Sequence, residues 1–284
     1  VLRSDRLTQG PEVAAFEEAL ASYCGARFAV VAANGTAALH AAYHAAGIGE
    51  SDEIITSAMT FVATANAALY LGAKPVFADI DPSSGAIDPR LIEAAITDRT
   101  KAIVPIHYMG RPAEFDGISA IAKKNNLLVI EDGCQALGAD YKGRKIGNLG
   151  DMTVFSFHPV KSITTGEGGA VLTNDEILYK KMKRFITHGI AKENFTYESH
   201  GPWYIEQQVL GYNYRLTDVQ CALGKSQLGR LDQFIAKRKQ LAARYDEAFV
   251  NAKNFVLPPK DTSDFSSAWH LYVIRLQEHL FSKK

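Results

Sequence analysis

Four short stretches of this chain hold residue types that can do chemistry. Lys161 lies in Phe155-Ser156-Phe157-His158-Pro159-Val160-Lys161-Ser162-Ile163-Thr164-Thr165-Gly166-Glu167-Gly168-Gly169, after an apolar run and before a Gly-rich turn. A lysine held there can lose its proton by desolvation and form a Schiff base with an aldehyde. The plainer alternative is a solvated loop lysine, and His158 reads as a structural histidine. Asp132, in Val129-Ile130-Glu131-Asp132-Gly133-Cys134-Gln135, closes an apolar run. A carboxylate at the C-terminal end of a parallel strand sits where open α/β sheets bind ligands. There it can hold a proton on a cationic ring nitrogen, ligate a metal or cap the next segment.

Two further stretches suit anions. Asn34-Gly35-Thr36-Ala37-Ala38-Leu39 joins a strand pattern to a helix pattern. The free N–H groups and dipole of that helix start suit a phosphate, and small residues let it approach. An ordinary helix cap by Asn34 or Thr36 explains the same residues. No GxxxxGK[ST] loop is present, so this is not a P-loop. Gly211-Tyr212-Asn213-Tyr214-Arg215-Leu216-Thr217-Asp218 leads into a long helical pattern. Thr217 or Asp218 reads as its cap, while Asn213 and Arg215 can reach an anion.

The elements that must position these residues alternate in type. Arg27–Ala32, Glu53–Thr56, Pro75–Ala78, Ala102–Pro105 and Leu127–Glu131 read as strands, continuously apolar as strands buried on both faces are. Pro11–Cys24, Thr36–Ala46, Thr60–Leu71, Pro89–Ile96 and Glu114–Lys124 carry helical spacing. This repetition predicts an α/β domain with a mostly parallel sheet sandwiched by helices. Met152–Phe157 and Gly169–Leu172 read as two more strands, followed by a helix from Asp175 to His188. Ala191–Gly211 reads as a long loop, and Leu216–Phe249 as two helices or one bent helix. His270–Leu276 reads as a final strand with no partner after it, the mark of a small C-terminal domain cut short. The expected division is 1–225 and 226–284.

Composition narrows the classes. The chain has 284 residues, 47% hydrophobic and 22% charged, enough for a large core. Lys plus Arg and Asp plus Glu are 31 each, so the net charge is zero and neither nucleic acid nor an anionic membrane is an expected partner. Cys24, Cys134 and Cys221 make no CxxC pair, which argues against a zinc ribbon or a disulfide scaffold and suits a reducing cytoplasm. No metal is expected. Apolar runs such as Phe28 to Ala33 fall far short of the roughly 18 residues of a membrane span. The first residue is Val1 rather than Met, as expected if the sequence is a piece of a longer chain.

Together, and in this order, the four stretches resemble the DegT/DnrJ/EryC1/StrS aminotransferases, fold-type I enzymes that use pyridoxal phosphate (PLP) and mostly aminate keto groups on nucleotide sugars. The likeness runs from Leu7-Thr8-Gln9-Gly10 to Trp269-His270-Leu271 and includes Thr60-Phe61-Val62-Ala63-Thr64-Ala65-Asn66, Arg99-Thr100-Lys101-Ala102-Ile103 and Ala136-Leu137-Gly138-Ala139. Phe157–Lys161, Gly201-Pro202-Trp203-Tyr204 and Leu210–Asp218 look most like the PseC group. That group makes UDP-4-amino-4,6-dideoxy-N-acetyl-β-L-altrosamine for pseudaminic acid. ArnB-like enzymes, which aminate a UDP-4-keto-pentose, share many of these residues.

The resemblance implies roles. Lys161 would bind the cofactor aldehyde as a Schiff base and later shuttle a proton; histidine stands there in the sugar dehydratase relatives. Asp132 would pair with the pyridinium nitrogen, so that the ring accepts electrons. Phe61 would stack on the ring and Gln135 would approach its hydroxyl. Gly35, Thr36, Ala37 and Ser156 would hold the phosphate. Asn213 would reach the phosphate of the other subunit, making the site a property of a homodimer. Glutamate would give its amino group, and the acceptor would be the C4 ketone of a UDP-linked 4-keto-6-deoxy-N-acetylhexosamine. Competing readings are another keto-sugar acceptor, a PLP-binding regulator without turnover, and a plain nucleotide-binding α/β protein without PLP.

Overall fold

The computed structural model describes residues 1–191, 194–197 and 201–277. The chain order is α1 (Pro11–Cys24), β1 (Phe28–Ala32), α2 (Gly35–Ala45), β2 (Glu53–Thr56), α3 (Ala63–Leu69), β3 (Lys74–Phe77), α4 (Pro89–Ile92), β4 (Thr100–Ile103), α5 (Phe115–Lys124) and β5 (Leu128–Asp132). There follow β6 (Asp140–Tyr141), β7 (Arg144–Lys145), β8 (Met152–Ser156), β9 (Gly169–Thr173), α6 (Glu176–Phe185), β10 (Ile190–Ala191) and β11 (Glu206–Gln207). Last come α7 (Asp218–Leu228), α8 (Leu231–Phe249), β12 (Phe255–Val256), β13 (Phe265–Ser266) and β14 (Arg275–Leu276).

Seven strands form the central sheet in the order β1-β9-β8-β5-β4-β2-β3. All run parallel except β9, which is antiparallel to both β1 and β8. Side chains alternate between two apolar clusters. Val31, Ile55, Ile103, Val129 and Phe155 meet Phe16 and Leu20 of α1 and Ile118 of α5. Val30, Ile54, Ala102, Ile130 and Val154 meet Leu39 and Tyr43 of α2, Ala67 of α3 and Met182 of α6. Burial on both faces is why the strands are continuously apolar in sequence. Helices cover both sides, as expected.

Boundaries follow local chemistry. α1 starts at Pro11, whose missing N–H is no loss in a first turn, and ends at Gly25 with φ 74°. Its open N–H groups are capped from across the chain: Gly10 N–H and Glu12 N–H donate to the Asp218 carboxylate at 2.5 and 2.9 Å. Thr217 caps α7 in a capping box with Gln220, so the two neighbouring residues serve different helices. Leu216–Phe249 resolves into two helices separated at Gly229 and Arg230. The expected boundary at 225 falls within the last turn of α7.

Three expectations need correction. Helix α3 begins at Ala63 rather than Thr60, because Thr60 and Phe61 form the turn that enters it. Within Ala191–Gly211, β11 turns back to pair with β10; residues 192–193 and 198–200 lie outside the described residues. The strand expected over His270–Leu276 shrinks to β14, and it does have a partner, the upstream β12. The stretch before it docks on the turn after β4, with Ala268 N–H on Gly110 O and Leu271 N–H on Met109 O. Strands β6, β7 and β13 form a further small ladder.

Two stability tests follow from the packing. Gly224 of α7 lies against α1, and a Cβ there would sit 2.5 Å from Phe16 Cζ and 2.8 Å from Thr165 Cγ2. Alanine normally gains up to about 1 kcal/mol over glycine in a helix, but overpacking costs about 1–3 kcal/mol. Gly224→Ala is therefore expected to lower the thermal midpoint by a few degrees; an unchanged or raised midpoint would disprove the contact. His40, buried among Tyr70, Phe185, Tyr212 and Tyr214, has an Nε2 without a partner. Burial, and secondarily His44, pushes it down to about 4. Protonation then favours the unfolded chain, so its contribution is complete above about pH 6.5 and is lost as pH falls toward 4. His40→Phe should flatten the fall in thermal midpoint between pH 7 and 4.5, and parallel curves for the two proteins would refute this.

Candidate active site

Because β5 and β8 run parallel, their C-terminal ends open on the same edge, facing the first turn of α2. A cavity of about 790 Å³ lies there, within the usual range for small-ligand sites. Gly35, Thr36, Ala37, Phe61, Asp132, Gln135, Ser156 and Lys161 all line it. Asn213 does not; it is exposed, and its backbone bridges to Thr187.

Asp132 is 6% exposed at the end of β5. Its Oδ2 accepts from Thr64 Oγ1 at 2.6 Å, and its Oδ1 from Cys134 N–H at 3.1 Å. Thr60 Oγ1 lies 2.8 Å from Thr64 Oγ1; since Thr64 gives its proton to Asp132, Thr60 supplies one to Thr64. Behind Thr64, the buried Tyr43 hydroxyl donates to its carbonyl at 3.0 Å. Burial, and then Asp132 itself, raises the Cys134 thiol well above its ordinary value, so a neutral S–H stands beside the carboxylate. Among the described residues Asp132 has no ion-pair partner. A nearly buried carboxylate held only by hydrogen bonds is set up for a cation brought by a ligand.

The start of α2 forms the side of the cavity suited to an anion. Asn34 Oδ1 accepts the Ala37 N–H at 2.8 Å, so the capping expectation holds. The N–H groups of Gly35 and Thr36 remain outside the helix ladder, as in any first turn. A Cβ on Gly35 would stand 2.9 Å from Ser156 Cβ and 3.6 Å from Cys134 Sγ, so only glycine lets α2 approach the end of β8 this closely. Cap and phosphate readings coexist, because they use different donors.

Lys161 lies on the loop from β8 to β9. Its neck is closed by the Ser156–Gly169 pair and by Phe157 N–H donating to Gly168 O at 2.8 Å. Phe157 is buried beneath the loop. On the opposite wall, Gln135 Oε1 accepts Met109 N–H at 2.8 Å, which leaves its amide N–H groups for a ligand. Phe61, 71% exposed, stands at the rim. These residues fit PLP: an uncompensated carboxylate for its ring nitrogen, a helix start for its phosphate, and a lysine for its aldehyde.

Several residues in or near the cavity received no role from the sequence. Thr64 lies in one of the family-like stretches, yet its task shows only once α3 is placed over Asp132. Tyr70 and Tyr214 line the wall in front of His40, with the Tyr214 hydroxyl 3.3 Å from His40 Nδ1. His158, read as structural, lines the cavity with Glu167, its Nε2 3.9 Å from Glu167 Oε1. His270 has a buried Nδ1 without a partner, and burial followed by Lys161 and Arg238 pushes it down to about 4.

Known proteins resemble this chain in sequence and fold. The chain is 43% identical over 287 residues to the UDP-4-amino-4,6-dideoxy-N-acetyl-beta-L-altrosamine transaminase of Campylobacter jejuni (serotype O:23/36, strain 81-176), covering 100% of this chain and 73% of that one. With the GDP-perosamine synthase of Caulobacter vibrioides it shares 41% over 271 residues, 95% of this chain and 71% of the relative. The structure of Helicobacter pylori PseC, an aminotransferase involved in the biosynthesis of pseudoaminic acid, superposes with TM-score 0.90 at 39% identity, over 99% of this chain and 74% of that one. The family profile matches residues 1–284, and the chain belongs to the DegT/DnrJ/EryC1/StrS aminotransferase family.

Proposed function

We propose that this aminotransferase carries PLP on Lys161 and moves an amino group from glutamate to the C4 ketone of a UDP-linked 4-keto-6-deoxy-N-acetylhexosamine. The observation that carries the site is Asp132, nearly buried with no ion pair among the described residues, in the same cavity as Lys161 and the start of α2. When bound, PLP supplies an electrophilic aldehyde and an electron-accepting ring. Asp132 keeps the ring nitrogen protonated, braced by Thr64 and Cys134 N–H. Gly35, Thr36, Ala37 and Ser156 bind the phosphate, Phe61 covers one ring face and excludes water, and Gln135 turns its amide toward the ring hydroxyl. Lys161, as a free amine, would take and return the proton at the reacting carbon.

Asn213 lies outside its own chain's cavity and is exposed, which supports a role at the phosphate of a second copy in a homodimer. We take residues 1–225 as the large cofactor-binding domain and 226–284 as the beginning of a smaller one. The three free thiols suit the cytoplasm. The acceptor rests on the 43% identity with the altrosamine transaminase. The 41% identity with a GDP-perosamine synthase favours a second reading, another nucleotide-linked 4-keto-sugar.

The purified protein is expected to absorb in the visible after incubation with PLP and to bleach on addition of glutamate. Product analysis with the UDP-linked hexosamine and a GDP-linked 4-keto-sugar separates the two acceptors. Lys161→Ala should lose the band and essentially all turnover, by a factor of at least about 10³. Substantial transamination by that variant would sink the assignment, and a band without bleaching would point to a regulator.

A further inference from the structure

Glu131 and Asp132 are consecutive on β5 and point to opposite faces of the sheet. Asp132 faces the cavity. Glu131 faces the other side, where it is fully buried, as is His107. Their contact is 2.7 Å between His107 Nε2 and Glu131 Oε2. Ala113 N–H donates to His107 Nδ1 at 3.0 Å, so Nδ1 carries no proton and the ring is the neutral Nε2–H form, donating to Glu131. The other carboxylate oxygen accepts Gly150 N–H at 2.8 Å and Thr153 Oγ1–H at 2.7 Å. No Lys or Arg pairs with Glu131 among the described residues. Three neutral donors therefore hold a wholly buried carboxylate.

Such a group is an expensive way to fill a core, since apolar side chains of the same volume pack at least as stably. What it adds is direction, and the backbone shows where that direction leads. Asp132 N–H donates to Pro105 O at 2.9 Å, and His107 N–H donates to Asp132 O at 3.1 Å. The residue whose ring Glu131 grips is thus bonded through its main chain to Asp132. Two residues on, Met109, at φ 62°, gives its N–H to Gln135 Oε1. One turn, residues 105–110, connects the buried pair to both Asp132 and Gln135.

We propose that Glu131 and His107 are positioning residues for the cofactor ring, locking the 105–110 turn so that Asp132 and Gln135 meet the ring nitrogen and hydroxyl together. This rests on the function proposed above. Glu131→Gln tests it in the full chain. The amide keeps the shape, but its NH₂ must face one of the three donors, and wherever it faces His107 the ring loses its acceptor. If this variant does not fold, Thr153→Val, which removes a single donor at constant volume, takes its place.

Three quantities are read: the PLP dissociation constant, the pH midpoint of the visible band, and the thermal midpoint of the cofactor-free protein. For Glu131→Gln, PLP binding should weaken on the order of tenfold or more, by analogy with loss of the groups that orient a metal ligand. The band midpoint should rise, because a ring nitrogen held less firmly withdraws fewer electrons from the nitrogen linked to Lys161. Thr153→Val should move both quantities in the same directions by less. A lower thermal midpoint with unmoved PLP affinity and band midpoint would reduce the pair to packing and overturn the inference. A native chain with no Lys161-dependent band would overturn the functional reading, and this inference with it. The two failures are therefore distinct.

Discussion

The Asp132 carboxylate, nearly buried and in no ion pair among the described residues, is the constraint around which this molecule is arranged. Removing an ion from water costs several kcal/mol, and here Thr64 Oγ1 and Cys134 N–H offset only part of that. A positive group entering the cavity would recover the remainder, which is the ground for the protonated ring nitrogen proposed above. The surroundings serve this arrangement. Helix α3 starts late enough to place Thr64 over the carboxylate, and Tyr43 holds the Thr64 main chain from behind. Both parallel strands deliver their ends to the same edge, which brings Ser156 and the start of α2 opposite Asp132.

The sheet explains why so much of the fold was legible. A strand covered on both faces must be largely apolar, and Val30, Ile54 and Ile130 are buried as fully as their neighbours on the other side. Pro11 and Gly25 mark the ends of α1 through the backbone angles and donors they lack or allow. Where signals are nonlocal, the sequence is silent. Asp218 caps a helix 206 to 208 residues away, and nothing in its neighbourhood announces that. Two-residue ladders such as β12–β14 carry no periodicity at all, which is why the end of the chain read as a strand without a partner.

The site was legible for a different reason. Lys161, Asp132 and the stretch from Asn34 to Ala37 can be singled out by residue type and by position relative to strand and helix patterns. Their meeting in one cavity is a consequence of topology, not of spacing. Thr64, Tyr70 and Tyr214 escaped because a threonine or tyrosine on an apolar helix or loop is chemically unremarkable until its neighbour is known. Asn213 raises the converse case: its proposed partner is a phosphate bound to another molecule, so no contact within one chain can give it a role.

The closed neck beneath Lys161 has a consequence for how this architecture diversifies. With Phe157 and Gly168 joined and the Ser156–Gly169 pair in register, the sheet ends where the loop begins. Changes of length or sequence between those two points need not propagate into strand pairing. The depth to which the lysine reaches can therefore differ while the paired ends of β8 and β9 stay in register. Selection can then vary the reach of the lysine proposed to hold the cofactor without altering the sheet beneath it.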